Sequence, residues 1–174
     1  PLTTAVGEAW AQGRFEVFEE HLYTEVITNV LRSNLEALRQ MRGQDTPKVL
    51  LTTVPQELHG LGLLMVEALL TLEGCACISL GTQTPLGDIV QAAAAYQADV
   101  VALSFTNVLS SSNVHSCLRD LRKALPASME MWVGGSSMSL YQRPLEGVVA
   151  SQDLRALSGL VAAWRACHGG KLNV

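Results

Sequence analysis

The spacing of apolar residues changes once along the chain, near residue 42. From Leu2 to about Met41 they recur in a helical rhythm. Phe15, Phe18, Leu22, Val26, Val30, Leu35 and Leu38 stand three to five residues apart and share one face. Gly13 predicts a break between a short helix over 4–12 and the long one that follows. Two helices cannot close a bundle around such a stripe. It must pack on the next domain, on helices further upstream or on another subunit. Arg42-Gly43-Gln44-Asp45-Thr46-Pro47 reads as a linker.

Beyond Pro47 the rhythm alternates. Apolar, β-branched runs at 48–54, 76–80, 99–105 and 130–133, and a weaker one at 148–149, predict strands. Helical patterns at 59–73, 85–97, 112–125 and 151–166 fill the gaps. Such alternation implies a parallel sheet covered on both faces. Five strands of this size suit the doubly wound, flavodoxin-like order 2-1-3-4-5. The expected architecture is α/β: a Rossmann-like five-stranded parallel sheet over 43–174, preceded by a partial helical-bundle cap over 1–42.

Composition narrows the class. A chain of 174 residues makes one domain, or one domain with a helical attachment, and 48% hydrophobic residues supply an ample core. No apolar run is long enough to span a membrane. A net charge of −4 argues against nucleic-acid binding by this portion alone, which would need clustered Lys and Arg. The chain opens at Pro1 with no secretory leader, which predicts a fragment or processed product of a cytosolic protein whose upstream part is lost. Of the four cysteines, Cys75 and Cys77 flank Ala76 at a strand edge, and Cys117 and Cys167 fall in helical patterns. No second pair stands at finger-like spacing, so buried thiols in a reducing compartment are expected.

The chemistry gathers at strand ends. Glu57-Leu58-His59-Gly60-Leu61-Gly62 follows the first strand and opens a helix, at the edge where open α/β sheets bind ligands. An imidazole is a good transition-metal ligand, and a carboxylate two residues earlier can hold its second nitrogen. Gly62 lets a large flat ligand approach the backbone. The third strand ends in Ser104-Phe105-Thr106 and the fourth in Gly134-Gly135, followed by Ser136-Ser137. Singly, His59 reads as a surface or capping residue, Ser104 as a helix cap and the glycine pair as a turn. Together, on adjacent strand ends, they offer a metal ligand, hydroxyl donors and a wall free of side chains. A long ligand tail fits such a cleft.

This constellation resembles the cobalamin-binding domain shared by methionine synthases, corrinoid proteins, B12-dependent mutases and certain gene regulators. The family pattern is Asp-x-His-x-x-Gly, then Ser-x-Leu, then Gly-Gly. Here Glu57 stands for Asp and Thr106 for Leu. The resemblance covers about 47–166. It implies that His59 is the lower cobalt ligand in place of the cofactor's own base, and that Glu57 supports it. It also implies that the displaced nucleotide tail enters beside Ser104, Thr106, Gly134 and Gly135.

Trp10 with Glu20-His21 ten residues on is similar to the Trp-x9-Glu-His signature of the helical cap in MerR-type B12-dependent regulators. There the cap covers the upper cobalt face and Trp contacts the adenosyl group. Gly81-Thr82-Gln83-Thr84-Pro85 is also similar to a loop those regulators carry. By the residues alone, Trp10 reads as a core aromatic and Glu20-His21 as a solvated helix face; beside the strand-end motifs they read as the cap. The resemblance implies a non-enzymatic, cytoplasmic sensory module of a transcription regulator, binding adenosylcobalamin and answering to light or cofactor state. It implies DNA contact only through an upstream helix-turn-helix head, and a homo-oligomer. In the light-sensing members a histidine directly after the signature Trp captures cobalt; here that position is Ala11. The alternative function is a corrinoid carrier for methyl transfer. A doubly wound domain for haem or a nucleotide is a third, though no Gly-x-Gly-x-x-Gly or P-loop sequence supports a nucleotide.

Overall fold

The structure, a computed structural model, describes residues 16–42 and 45–168. Helix α1 (Val17–Arg42) comes first, then strand β1 (Asp45–Thr52) and helix α2 (Leu61–Leu72). Strand β2 (Cys75–Gly81), α3 (Leu86–Ala95), β3 (Val100–Phe105) and α4 (Ser111–Ala124) follow. The chain then forms β4 (Glu130–Gly135), the short α5 (Ser139–Gln142), β5 (Val148–Ser151) and α6 (Leu157–His168). All strand pairs are parallel, and the order is β2-β1-β3-β4-β5, as the alternating rhythm predicts.

Alternate residues of a strand face opposite sides, so each inner strand feeds two cores. Leu50, Val101, Leu103, Met131 and Val133 pack under α3 and α4. Val49, Leu51, Val100, Ala102 and Trp132 pack under α2 and α6, against Leu63, Leu70, Val161 and Trp164. β3 is buried at every position, as a central strand covered on both faces must be. Ser104 continues the parity of Val100 and Ala102 and therefore points toward the α2 and α6 side.

Several boundaries differ from the sequence expectation. β1 begins at Asp45, inside the expected linker, because Asp45 pairs with Cys75 before an irregularity that restores register at Lys48. α2 begins at Leu61, and Gly60 precedes it without a side-chain cap. α5 and a 3-10 turn at Leu154–Ala156 have no apolar periodicity to announce them. That turn, capped by Asp153 accepting from Arg155 N–H, delays α6 to Leu157.

The α1 stripe divides in two. Leu35 is buried, and α1 meets the rest of the described chain chiefly through α2. Arg39 Nη2 donates to Glu67, a carboxylate buried in α2, across that contact. Toward the other end of the helix, Phe18, Leu22, Val26 and Val30 are exposed. Phe15 lies outside the described residues. Among the described residues no helix is long and apolar enough to cross a membrane.

Candidate functional site

The site begins with a turn. Glu57 N–H donates to Val54 O at 3.1 Å, with Pro55 and Gln56 between them. Gln56 takes φ 72°, the value a type II turn demands at its third residue. The turn lowers Glu57 between the ends of β1 and β3, where no part of it reaches solvent. A buried carboxylate needs donors, and four are supplied. Oε1 accepts from His59 N–H at 3.1 Å and from His59 Nδ1 at 2.7 Å. Oε2 accepts from Thr106 N–H at 2.7 Å and Thr106 Oγ1 at 2.8 Å. Burial pushes the Glu57 carboxyl up. The hydrogen bonds outweigh it, led by Thr106 N–H and then the His59 ring, and hold the group below its ordinary 4.5.

An ionised carboxylate only accepts, so His59 Nδ1 carries a proton, and in the neutral ring the lone pair is on Nε2. The ring is 60% exposed, and Nε2 has no partner among the described residues. A clamped imidazole therefore presents one free donor nitrogen to solvent at the sheet edge.

Beside it the backbone is bare. A Cβ built on Gly62 would stand 3.7 Å from Ser104 Oγ, so the first turn of α2 faces the β3 hydroxyl across a narrow gap. Gly134 and Gly135 pair with Ser104 and Phe105. Gly135 has φ 119°, and a Cβ there would overlap the main-chain carbonyl of Phe105; at Gly134 it would meet Ser151 O at 2.8 Å. The glycine pair is thus required by the close approach of β3, β4 and β5. Tyr141 braces the same corner, its hydroxyl 2.8 Å from Gly135 O and 3.2 Å from Ser151 O.

Two residues that sequence reasoning missed tie the neighbouring loops together. Thr53 Oγ1 donates to Glu57 O at 2.6 Å and accepts from Gln83 N–H at 2.9 Å. Thr52 Oγ1 lies 2.7 Å from Thr84 Oγ1. Both threonines are fully buried, and they hold the 81–85 loop against the His59 loop. The available signal was a polar pair closing an otherwise apolar strand.

The structure brings Glu57, His59, Gly62, Ser104, Thr106, Gly134 and Gly135 to three adjacent strand ends. Glu20 and His21 sit on α1: Glu20 Oε1 accepts from Thr24 Oγ1, and His21 Nε2 lies 3.8 Å from Glu20 Oε2; neither hydrogen-bonds to the strand-end cluster. Trp10 lies outside the described residues. Hollows of about 420 Å³ beside α1 and β2 and about 250 Å³ beside α4, α5 and β5 lie away from the cluster.

Among the described residues no three metal-ligating side chains converge. The cluster offers one imidazole nitrogen, which suits a metal whose other positions are already filled by a macrocycle, and the bare glycine backbone suits a flat ring and a tail. The donor set fits a corrinoid.

The B12 binding domain profile matches residues 47–153. The chain is 33% identical over 146 residues to the HTH-type transcriptional repressor CarH of Myxococcus xanthus, across 84% of this chain and 48% of that protein. It is 30% identical over 151 residues to the repressor CarA of the same organism, across 87% of this chain and 51% of that protein. The chain thus spans about half the length of these relatives. In fold it is similar to the monomethylamine corrinoid protein of Methanosarcina barkeri, with a TM-score of 0.69 at 15% identity over 93% of this chain and 78% of that one. A cobalamin-binding protein of Desulfitobacterium hafniense gives a TM-score of 0.55 at 18% identity, over 93% and 77%.

Proposed function

Because the chain belongs to the B12-binding domain family, we propose that it is the cobalamin-binding sensory module of a transcription regulator, holding adenosylcobalamin with His59 as lower cobalt ligand. The observation that supports this best is the His59 ring, locked by Glu57 with Nε2 left free toward solvent. Glu57 orients the ring and keeps its proton on Nδ1. Gly62, Ser104, Thr106, Gly134 and Gly135 border the space for the displaced nucleotide tail. Residues 1–42 act as the cap and 43–174 as the cofactor domain. In the cap, Trp10 would stack on the adenosyl group while Glu20 and His21 meet its ribose hydroxyls.

When bound, adenosylcobalamin supplies a photolabile cobalt–carbon bond through which light or cofactor supply is sensed. The module performs no catalysis, acts in the cytoplasm as a homo-oligomer, and meets DNA through an upstream helix-turn-helix head. The repressor names of the two sequence relatives favour this over a corrinoid carrier, which shares only the fold. Ala11 has no group that could ligate cobalt, so capture of the metal after illumination would fall to His21 or to an upstream residue.

Absorption spectra of the protein with adenosylcobalamin, dark and lit, test the proposal. A His-ligated spectrum that His59→Ala converts to the base-off form supports it. Unchanged affinity and spectrum in that variant would sink the assignment, and a bis-imidazole lit spectrum surviving in His21→Ala would overturn the upper-face part.

A further inference from the structure

Thr106 stands where the family pattern has Leu, and Glu57 stands where it has Asp. The two departures meet in space. Glu57 Oε2 accepts both the main-chain N–H and the hydroxyl of Thr106, and Thr106 Oγ1 also lies 3.3 Å from His59 Nδ1. We propose that Thr106 is a positioning residue for the metal ligand: its hydroxyl fixes the Glu57 carboxylate and, through it, the tautomer and aim of His59. What His59 ligates rests on the cobalamin reading above; what Thr106 does to the ring rests on hydrogen bonding alone.

The proton count carries the argument. A hydroxyl has one proton, and here it goes to Glu57 Oε2. Toward Nδ1 the Thr106 oxygen can then only accept. Both groups facing Nδ1, Glu57 Oε1 and Thr106 Oγ1, are acceptors, so of the two neutral tautomers they select the one protonated at Nδ1 and bare at Nε2. A leucine at 106 would keep the main-chain donor but leave Oε2 one donor short and Nδ1 one acceptor short. The loss falls on a carboxylate that no solvent reaches. Glutamate also has one more rotatable bond than aspartate, so its longer arm needs the second tether more. The longer acid and the hydroxyl form a matched pair.

The test compares wild type with Thr106→Val, close in shape but without the hydroxyl, and Thr106→Ser, which keeps it. Ring nitrogen NMR of His59 in the cofactor-free protein, in mildly alkaline buffer, reads the tautomer. Electron paramagnetic resonance of the cob(II)inamide complex, a corrinoid with no base of its own, reads the ligand, because one axial nitrogen from the protein splits each cobalt line into a triplet. Wild type and T106S should show the Nδ1–H ring and the triplet. T106V should raise the Nε2–H tautomer about fivefold, the weight of one hydrogen bond, and lose most of the triplet. A T106V protein with wild-type tautomer ratio and triplet overturns the proposal, as does a T106S protein that behaves like T106V. If wild type itself lacks the triplet, the cobalamin reading fails, and the tautomer in the cofactor-free protein still decides Thr106. Should T106V not fold, Thr106→Ala removes the same hydroxyl and takes its place.

Discussion

At the scale of single residues, the glycines separate what the fold needs from what a ligand needs. Gly62 has room for a methyl group, with Ser104 Oγ its nearest neighbour at 3.7 Å, whereas Gly135 has none. Gly62→Ala should therefore leave unfolding stability unchanged or raise it by up to about 0.5 kcal/mol, alanine being the better helix former. It should still weaken cobalamin binding about tenfold, ~1.4 kcal/mol, by filling the gap beside Ser104. Gly135→Ala should cost about 2–4 kcal/mol from overlap and a left-handed backbone. Urea unfolding beside cobalamin titration checks both, and a Gly62→Ala protein with intact affinity would empty the gap of meaning. Glu57 gives a pH signature. Folding lowers its carboxyl below 4.5, so its contribution is whole above that value and drains away as pH falls through the lower native one. Glu57→Gln should flatten the acid limb of stability between about pH 6 and pH 3, read as urea midpoints across that range.

At the scale of elements, α1 is joined to the sheet domain by its C-terminal half. Leu35 packs there, and Arg39 reaches the buried Glu67 of α2, the helix that the His59 loop opens into. Removing one partner of such a pair strands a charge. Arg39→Met should cost roughly 3 kcal/mol, and Arg39→Met with Glu67→Leu should recover most of it. Equal stability of the single variant and wild type in urea would show the pair to be idle. The pair was illegible in sequence because Arg39 and Glu67 lie on different helices, and nothing in either pattern sets the crossing. What could be read was whatever repeats or stands at a strand end: the alternating rhythm that gives the sheet order, and the His59, Ser104 and Gly134-Gly135 stops. The Glu57–Thr106 bond was hidden for a different reason. The left-handed Gln56 that buries Glu57 carries no residue signal, since glycine or asparagine is the usual choice there.

At the scale of the whole molecule, the sheet order puts the ligand-bearing loops on one edge, while the exposed part of the α1 stripe awaits a cover. The buried thiols give this architecture a clock. Cys77 lies beneath α2, its Sγ 3.9 Å from Glu67 O, and burial pushes its thiol up to about 12. In the closed protein it has almost no thiolate and little exposure, whereas Cys167 is exposed. In a protein with Cys75→Ala and Cys117→Ala, a disulfide reagent should therefore modify Cys167 at once and Cys77 only when the helices over it, α1 and α2, lift from the sheet, so the slow phase measures the free energy of that opening. A ligand held at the first turn of α2 has to slow that phase and spare the fast one. Labelling with and without adenosylcobalamin in the dark would show this, and an unaltered slow phase would mean that cofactor and α2 are mechanically independent. Two cysteines with no chemistry of their own would then time how firmly the domain grips a corrinoid.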